Sequence, residues 1–271
     1  MVFRTNNVKR LIIDLSSVSW KALLAGEDKE FGRIVEHEGK QVKVNSAEYG
    51  YENAMNHIVA AMNDHGIVPI NVIIVREGAN SKDHRKFLAG GYFEYKGSRG
   101  SRPPEAYAEF NKLNDRLIDV LTKVGACSVS QRGIEADDVI AYLAKNLQGE
   151  RYILSSDGDL YALVDQNVHL IRNGELDVSP FGPIQPRWIG VYKALVGDSS
   201  DNIPGVKGFG PKTFLDLFVT LDDEDMDYFL ECFEKRQLHT LAGAVTEHPQ
   251  LKKVLEQTDL AYKSYECARL Y

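Results

Sequence analysis

Short runs of apolar, largely β-branched residues alternate along the first two thirds of the chain with longer segments whose apolar residues recur at helical spacing. The short runs are typical of buried strands and occupy residues 10–15, 70–75, 126–129, 152–155 and 168–171. Helices are predicted between them, at about 46–64, 103–124 and 136–147. Ser46 stands where an N-cap is needed, and Gly66 lies just past the end of that helix.

This order of elements predicts βαβ units, and therefore an α/β fold with a mainly parallel central sheet flanked by helices on both faces. From Trp188 onward the strand patterns end and helical patterns continue. The last third is therefore expected to be a helical subdomain. Residues 1–183 are predicted to form the α/β core and residues 184–271 the helical subdomain.

Composition narrows the class of protein. The chain has 271 residues, 44% hydrophobic and 26% charged, as in ordinary globular proteins. Its three cysteines have no metal-ligand spacing, so they are interpreted as reduced thiols. No stretch is long and apolar enough for a membrane span, and the first residues lack the apolar core of a signal peptide. We expect a cytoplasmic protein with no membrane partner.

The formal net charge of −7 argues against nucleic acid as a partner, but residues 82–102 are locally basic. In that segment six Lys and Arg residues face only Asp83 and Glu94, and Phe87, Tyr92, Phe93 and Tyr95 are interleaved with them. Basic residues among aromatic ones can bind phosphates and stack on bases. A solvated loop that happens to be basic is the alternative.

A second distinctive segment is residues 203–213, which hold three glycines and two prolines between helical patterns. This composition prevents a continuous helix and predicts a hairpin between two helices. Its backbone N–H groups could meet a phosphate at a helix N-terminus, with Lys207 and Lys212 adding charge. A dinucleotide-binding turn would need a preceding strand, which this segment lacks. A purely structural turn remains the alternative.

Acidic residues follow the predicted strands and the helix at 188–196. Because the carboxyl ends of parallel strands line one crevice, the strand-linked acids should converge there. At an effective dielectric near 20, two carboxylates about 5 Å apart repel by roughly 3 kcal/mol, so the cluster needs cations. All ligands would be oxygens, which favours Mg²⁺ or Mn²⁺ over Zn²⁺. The acids are Asp14, Glu77, Glu135, Asp137, Asp138, Asp157, Asp159, Asp198 and Asp201.

Removing these nine acids from the charge balance changes it from −7 to +2, which is compatible with a polyanionic partner. Two divalent ions about 3.5 to 4 Å apart can activate water and stabilise the leaving oxygen of a phosphodiester. The acidic run at 222–225 is denser, but its expected role is to favour the N-terminus of the following helix.

Five strings together resemble the 5′ nuclease family of flap endonucleases and 5′–3′ exonucleases: IIDLSS, YKGSR, GIEADD, SSDGDL and LVGDSSDNIPGVKGFGPKT. Their compact spacing is similar to that of bacteriophage members. The resemblance covers about residues 10–220 and leaves segment 26–45 and the last fifty residues unmatched. It implies a PIN-like sheet core, a helical arch at about 78–116, and a helix-three-turn-helix at about 188–220 that binds duplex DNA, with a K⁺ ion on backbone carbonyls.

The resemblance also implies roles for individual residues. Asp14, Glu77, Glu135, Asp137 and Asp157 would surround a first metal ion, with Asp138 and Asp159 between two ions and Asp198 and Asp201 toward the second. The family usually has Asp where this chain has Glu77. Lys96 and Arg99 would contact the scissile phosphate and, with Asp157 and Asp159, are the expected catalytic residues. The expected nucleic-acid contacts are Arg85, Lys96, Arg99, Gly205, Lys207, Gly208, Gly210, Lys212 and Thr213.

The sequence therefore predicts a monomeric, Mg²⁺-dependent 5′ nuclease that cuts branched or 5′-ended DNA, and RNA/DNA hybrids as a second substrate, in replication. Two ions are expected, with Mn²⁺ able to substitute. If the chain is phage-encoded, its location would be the host cytoplasm, and a replication partner protein is an open expectation. A junction-binding protein with a degenerate active site and a PIN-like ribonuclease are the alternatives.

Overall fold

The structure is a computed structural model that describes residues 8–25, 32–98 and 100–271. Within these ranges the chain divides into two compact units. The first contains the described residues of Met1–Ser81 and Gly100–Gly182 together with Tyr271, and the second contains those of Lys82–Arg99 and Pro183–Leu270. The basic segment, which the sequence analysis assigned to the core, is thus grouped with the helical C-terminal part.

The first unit contains these strands and helices: β1 (Lys9–Asp14), α1 (Leu15–Leu24), β2 (Gly32–His37), β3 (Lys40–Asn45), α2 (Ala47–His65), β4 (Val72–Val75), α4 (Pro104–Lys123), β5 (Cys127–Val129), α5 (Ala136–Asn146), β6 (Glu150–Leu154), β7 (Val168–Arg172) and β8 (Glu175–Leu176). The second unit contains α3 (Asp83–Ala89), α6 (Ile189–Val196), α7 (Pro211–Phe218), α8 (Asp223–Glu234), α9 (Leu251–Leu255) and α10 (Thr258–Ala268).

Six strands form the central sheet in the order β5-β4-β1-β6-β7-β8. The pairs from β5 to β7 are all parallel, and only the two-residue edge strand β8 runs antiparallel. In β1, Leu11 and Ile13 pack in a core with α1, α2 and α4, while Ile12 is equally buried from the other side, where α5 contacts β1 and β4. The predicted α/β fold with a mainly parallel sheet is confirmed.

Local signals explain where several elements begin and end. The Ser46 hydroxyl accepts a hydrogen bond from the Tyr49 amide (3.3 Å), so Ser46 is the N-cap of α2 as predicted. Gly66 ends that helix in the left-handed conformation at φ 64°. The predicted strand at 70–75 starts later, at Val72, because Pro69 opens a 3₁₀ turn that runs to Asn71.

The second unit is built around buried aromatic side chains. Trp188, Phe214, Phe229 and Phe233 are each at most 2% exposed. The Phe218 ring contacts the first three of them, and Phe229 also contacts Phe233. A smaller apolar cluster joins Ala89 and Tyr95 of the basic segment to Ile203 and the end of α10. This cluster is the physical reason why residues 82–99 are grouped with the helices. No helix in the described residues is long and apolar enough to cross a membrane.

Candidate active site

The sheet order brings acidic side chains of the first unit to one edge. Strands β5, β4, β1 and β6 are consecutive neighbours, and each is followed at its carboxyl end by at least one of the predicted acids. Asp14 ends β1, Glu77 follows β4, three acids open α5 after β5, and two follow β6. The parallel topology therefore places the strand-linked acids along adjacent positions, as the sequence predicted.

Asp14 is the most buried of the strand-end acids, at 4% exposure. One carboxylate oxygen accepts the Ser17 amide (3.1 Å), which makes Asp14 the N-cap of α1. The other accepts the Ser155 hydroxyl (2.7 Å) from the end of β6. Both oxygens are thus fixed by the chain segments on either side, and the side chain is preorganised.

The loop after β6 is held by a chain of short polar contacts. The Ser155 hydroxyl accepts the Asp157 amide (3.0 Å), and the Asp157 carboxylate accepts the Asp159 amide (2.9 Å). The Ser17 hydroxyl accepts the Ser156 amide (2.7 Å) and contacts the Ser156 hydroxyl (2.6 Å). These contacts tie Asp157 to Asp14 through Ser155.

The loops after β4 and β5 are joined to each other by their backbones. The Arg76 amide donates to the Val129 carbonyl (2.9 Å), and the Gly133 amide donates to the Ala79 carbonyl (2.9 Å). Between them Gly78 lies so close to the Gln131 carbonyl that an added Cβ would be 1.9 Å from its oxygen. Only glycine permits this approach, which holds Glu77 beside the loop that leads into α5.

The three acids at the start of α5 have different exposures. Glu135 and Asp138 are 3% and 5% exposed, and Asp137 between them is half-buried. An Asp138 oxygen accepts the Tyr271 amide at 3.3 Å. Glu135 is in the N-cap position, but its side chain makes no capping hydrogen bond. Three carboxylates, two of them buried, thus lie within four residues at the start of one helix, and such clusters of acids are typical of a functional site.

The pKa of Asp14 reflects the negative charge of the surrounding acids. Burial raises the pKa of this carboxyl from 3.8 to about 6, and the negative charges of Asp157 and Glu77 add to the rise, although hydrogen bonds from Ser155 and Ser17 oppose it. The carboxylates therefore repel each other across adjacent strand ends. Their donor atoms are all oxygens, so the residues present fit Mg²⁺ or Mn²⁺.

In the second unit, Lys96 and Asp201 form a buried pair. The Lys96 ammonium lies 3.7 Å from an Asp201 oxygen, and the two side chains are only 6% and 9% exposed. The Tyr95 hydroxyl donates to the other oxygen at 3.1 Å, and the Lys96 amide donates to the Asp201 carbonyl at 2.9 Å. The structure thus brings a predicted phosphate contact and a predicted metal ligand together.

Asp198 has a cationic partner of its own, Lys193 on α6, whose side chain is 5% exposed. Burial alone would raise the pKa of Asp198, but Lys193 and the hydrogen bonds from Ser200 outweigh it and hold the pKa below its ordinary value. Asp198 is therefore ionised near neutral pH, as a metal ligand must be.

Two further basic residues of the predicted site, Arg85 and Arg99, differ in what the structure describes of them. Arg85 is 3% exposed, and its guanidinium donates to the Cys267 carbonyl of α10. Its predicted nucleic-acid contact stays a prediction, and the structure gives it a packing role. Arg99 lies outside the described residues, so its predicted catalytic role is likewise a prediction.

Residues 197–210 form a turn between α6 and α7, where the sequence predicted a hairpin at 203–213. The last three residues of that prediction instead begin α7, because Pro211 is tolerated in the first turn of a helix. Gly205 has a φ of 67° and packs against the backbone of α6, where the Val206 amide donates to the Leu195 carbonyl (2.8 Å). Lys207 and Lys212 are exposed. The other predicted contacts differ in exposure, since Gly208 is exposed while Gly210 and Thr213 are half-buried.

Residues that support the acids were missed by the sequence analysis. Ser155, Tyr95 and Lys193 each bind one of the predicted acids directly. Ser155 is the first residue of SSDGDL and Tyr95 the first residue of YKGSR, so their positions in these motifs were a usable signal. Lys193 lies five residues before Asp198 within a predicted helix, where sequence alone gives no reason to pair them.

Comparisons with known proteins agree with this architecture. A family model described as the 5′-3′ exonuclease N-terminal resolvase-like domain matches residues 9–185. A 5′-3′ exonuclease of Buchnera aphidicola is 34% identical over 201 residues, which are 70% of this chain and 67% of that protein. DNA polymerase I of Deinococcus radiodurans is 40% identical over 134 residues, 45% of this chain. The chain spans only 13% to 23% of the length of the DNA polymerase I relatives of Deinococcus and Bacillus caldotenax.

Solved structures show the same fold. The T5 5′-exonuclease with bound divalent metal ions (zinc) has a TM-score of 0.65 and 19% identity, and the match covers 95% of this chain and 88% of that one. The bacteriophage T5 flap endonuclease in complex with DNA and metal ions has a TM-score of 0.63 and 17% identity, covering 95% and 87%. Because the family model matches well over half of the chain and includes the strand-end acids, this chain belongs to the 5′–3′ exonuclease family that its motifs predicted.

Proposed function

We propose that this chain is a structure-specific 5′ nuclease that hydrolyses phosphodiester bonds at single-strand/duplex junctions, with flap endonuclease and 5′–3′ exonuclease activities. The observation that carries this proposal is the set of carboxylates at four adjacent strand ends. There the negative charges of Asp157 and Glu77 help to raise the pKa of the buried Asp14. The carboxylates of such a cluster repel each other, and a bound divalent cation removes this repulsion by neutralising their charge. The substrate proposed is branched or 5′-ended DNA, with RNA/DNA hybrid as a second substrate.

The residues present fit two Mg²⁺ ions, with Mn²⁺ able to substitute. The strand-end acids of the first unit would hold one ion, and Asp198 and Asp201 are the proposed ligands of a second. When bound, such ions supply Lewis acidity to the phosphodiester and to the attacking water. The oxygen-only donor set supports the choice of Mg²⁺ or Mn²⁺. The T5 5′-exonuclease structure, whose bound ions are zinc, supports a divalent-ion site without supporting that choice.

The chain's own residues supply orientation and charge. Ser155 and the Ser17 amide hold the two Asp14 oxygens in place, and Asp157 is linked to them through Ser155. Lys96 is proposed to neutralise the scissile phosphate, together with Arg99. Such positioning lowers the barrier because the groups need no reorganisation during the reaction.

Duplex binding is proposed for the turn between α6 and α7. Its exposed Lys207 and Lys212 would pair with backbone phosphates outside the chemical step. We also propose that backbone carbonyls of this turn bind a K⁺ ion. The Lys253 ammonium already donates to the Gly208 carbonyl (2.7 Å), so one carbonyl of the turn has a cationic partner within the chain.

We further propose a monomer in the cytoplasm, the host cytoplasm if the chain is phage-encoded, acting in replication with RNA primer or flap removal. The short edge strands of the sheet support the monomer. A replication partner protein is left unidentified.

The deciding experiment incubates the protein with an end-labelled 5′-flap DNA and a matching RNA flap, in Mg²⁺, in Mn²⁺ and in EDTA. Cutting near the junction with metal, and none in EDTA, is expected. Asp157→Asn should retain binding in Ca²⁺ and lose turnover by orders of magnitude in Mg²⁺. Asp119→Asn, an exposed acid on α4, is the matched control and should cut normally.

The outcomes separate the alternatives. Junction binding with no cutting by the wild type would mean a degenerate, binding-only protein. Cutting of RNA strands without dependence on a junction would favour a PIN-like ribonuclease. Full activity in EDTA, or in Asp157→Asn, would refute the metal site.

A further inference from the structure

Two side chains from the C-terminal helices hold the turn between α6 and α7, and neither has an assigned role. Lys253 lies on α9, and Gln257 follows the end of that helix by two residues. Both contact the turn at Lys207 and Gly208. All four residues belong to the second unit, so these contacts lie within one compact part of the chain.

Gln257 fixes the backbone of Lys207 through both ends of its side-chain amide. Its Oε1 accepts the Lys207 amide (2.9 Å), and its Nε2 donates to the Lys207 carbonyl (3.3 Å). The same Nε2 donates to the Lys253 carbonyl (3.2 Å). The side chain of Gln257 therefore ties the turn to α9, and the next peptide group of the turn lies within reach of the Lys253 side chain.

The charge of Lys253 is directed at a backbone oxygen. Its ammonium donates to the Gly208 carbonyl at 2.7 Å, which is a short, charge-assisted hydrogen bond. Among the residues that the structure describes, Lys253 has no carboxylate partner, whereas its neighbour Lys252 pairs with Glu256 at 3.9 Å. The positive charge at the turn is thus offset by no acid of the described chain.

This arrangement leaves the ammonium able to bind a second acceptor. A lysine ammonium has three N–H donors, and the Gly208 carbonyl takes one of them. Since Lys207, Gly208 and Lys253 are all exposed, the other two donors are available to a phosphate of a duplex that docks on the turn. A carbonyl oxygen facing a phosphate would repel it, and a cation between the two removes that repulsion. A K⁺ ion bound by carbonyl oxygens would act in the same way.

We propose that Lys253 is a tethered cation that takes the place of a K⁺ ion at the Gly208 carbonyl and joins the turn to a phosphate of the duplex. The inference rests on the duplex binding proposed above, and it limits the K⁺ ion proposed there to the carbonyls that Lys253 leaves free. Junction binding therefore keeps most of its strength without K⁺. Lys253 positions the duplex and takes no part in bond cleavage.

The test measures the affinity for a 5′-flap DNA in Ca²⁺ by fluorescence anisotropy, at equal ionic strength in potassium chloride and in tetramethylammonium chloride. Tetramethylammonium has no N–H group and is too bulky to bind among carbonyl oxygens. The wild type should bind nearly equally in the two salts. Lys253→Met should bind about tenfold more weakly than the wild type in tetramethylammonium chloride, the size expected for one lost charge-assisted hydrogen bond, and potassium should restore most of this loss. Lys252→Met removes the neighbouring exposed lysine and is the matched control, which should behave like the wild type.

Two results would overturn the inference. One is the same dependence on potassium in the wild type and in Lys253→Met. The other is a loss of affinity in Lys253→Met that potassium does not restore, because Lys253 would then be an ordinary phosphate contact. Thermal melting checks the folding of each variant, and Lys253→Gln replaces Lys253→Met if the latter is unfolded.

A second measurement needs no DNA. Amide hydrogen exchange of residues 205–210 should be equally slow in both salts for the wild type. In Lys253→Met it should be faster in tetramethylammonium chloride and slower again in potassium chloride. Exchange that does not differ between the two proteins would count against the inference. If exchange in Lys253→Met responds to potassium while neither protein binds junction DNA, the proposed duplex binding fails and the tethered cation stands.

Discussion

Lys96 has an unusual backbone conformation. Its φ is 54°, in the left-handed region that side chains other than glycine rarely adopt. A hydrogen bond from its own amide to the Asp201 carbonyl and one from the Tyr95 hydroxyl to the Asp201 carboxylate hold the conformation. Strain of this kind persists where surrounding contacts require it, which is common at functional sites.

Replacing Lys96 with Ala tests its proposed role at the scissile phosphate. Single-turnover cleavage should fall by 10² to 10³, a few kcal/mol in the barrier, whereas junction binding should change much less. Stability should drop as well, on the order of 3 kcal/mol, since Asp201 loses its buried cationic partner. Quenched-flow cleavage and thermal melting measure the two effects separately.

Lys86→Ala serves as the control for this variant. Lys86 is exposed and belongs to the same basic segment, so its loss should weaken binding slightly and leave the cleavage rate intact. Cleavage by Lys96→Ala at the wild-type rate would mean that Lys96 only neutralises Asp201.

Asp14 predicts a pH dependence of stability in the metal-free protein. A carboxyl whose pKa is raised to about 6 in the folded state stabilises that state at low pH, relative to its ionised form. That contribution is complete below the ordinary pKa of 3.8 and is lost as the pH rises through about 6. The free energy of unfolding should thus lose about 3 kcal/mol from this group between about pH 4 and about pH 7.

Urea unfolding in EDTA across this pH range measures the effect. Asp14→Asn cannot ionise and should flatten the profile. Mg²⁺ should restore stability near pH 7, where the ionised carboxylates can bind it, and should do little near pH 4. Equal pH profiles for the wild type and Asp14→Asn would contradict the assignment of the raised pKa.

The sequence predicted the acids of the site better than their partners. Strand ends are recognisable from apolar runs, so acids such as Asp14 and Asp157 could be placed on one edge of the sheet. Their immediate contacts depend on tertiary packing. The Lys193–Asp198 pair forms because the turn after α6 folds back on that helix, and no periodicity along the chain encodes this.

At the scale of elements, the turn between α6 and α7 offers a test of binding apart from catalysis. Lys207→Ala with Lys212→Ala should weaken junction binding and flatten its salt dependence by up to about two units of log–log slope. Cleavage of bound substrate should keep its rate, because these lysines are proposed to act on the duplex. Fluorescence anisotropy over a salt series, followed by single-turnover cleavage, separates the two.

The matched control replaces Lys252 and Lys235, two exposed lysines in ion pairs elsewhere in the second unit, and should leave the slope nearly unchanged. If affinity and slope stay the same in the Lys207/Lys212 variant, the segment is a structural turn only.

The elements that sequence reasoning missed have weak patterns. β2 and β3 form a hairpin whose strands have few buried positions, so they lack a clear apolar face. Its turn uses Glu38 and Gly39, both at positive φ, instead of a strong Asn-Gly signal. β8 is two residues long and too short for any alternation. By contrast α2 carries an N-cap, a clear apolar face and a terminal glycine, and its predicted ends are within one residue of the observed ones.

At the scale of the whole molecule, the alternation of strands and helices sufficed to predict the parallel sheet, because short crossovers leave few other arrangements. The grouping of residues 82–99 with the C-terminal helices was not predictable in the same way. It depends on apolar contacts of Ala89 and Tyr95 with residues more than a hundred positions later in the chain. Contacts at that separation leave no local periodic trace.

The two edges of the central sheet have a consequence for handling the protein. β5 has three residues and β8 has two, so each edge exposes few unpaired N–H and C=O groups. Long, flat edges are the templates on which copies of a chain add to one another, and short ones resist this. We therefore expect the central sheet not to serve as a template for β-aggregation. Slow loss of soluble protein on exposure to air would instead involve oxidation of Cys127, an exposed thiol on the edge strand β5. A reducing agent should prevent this loss.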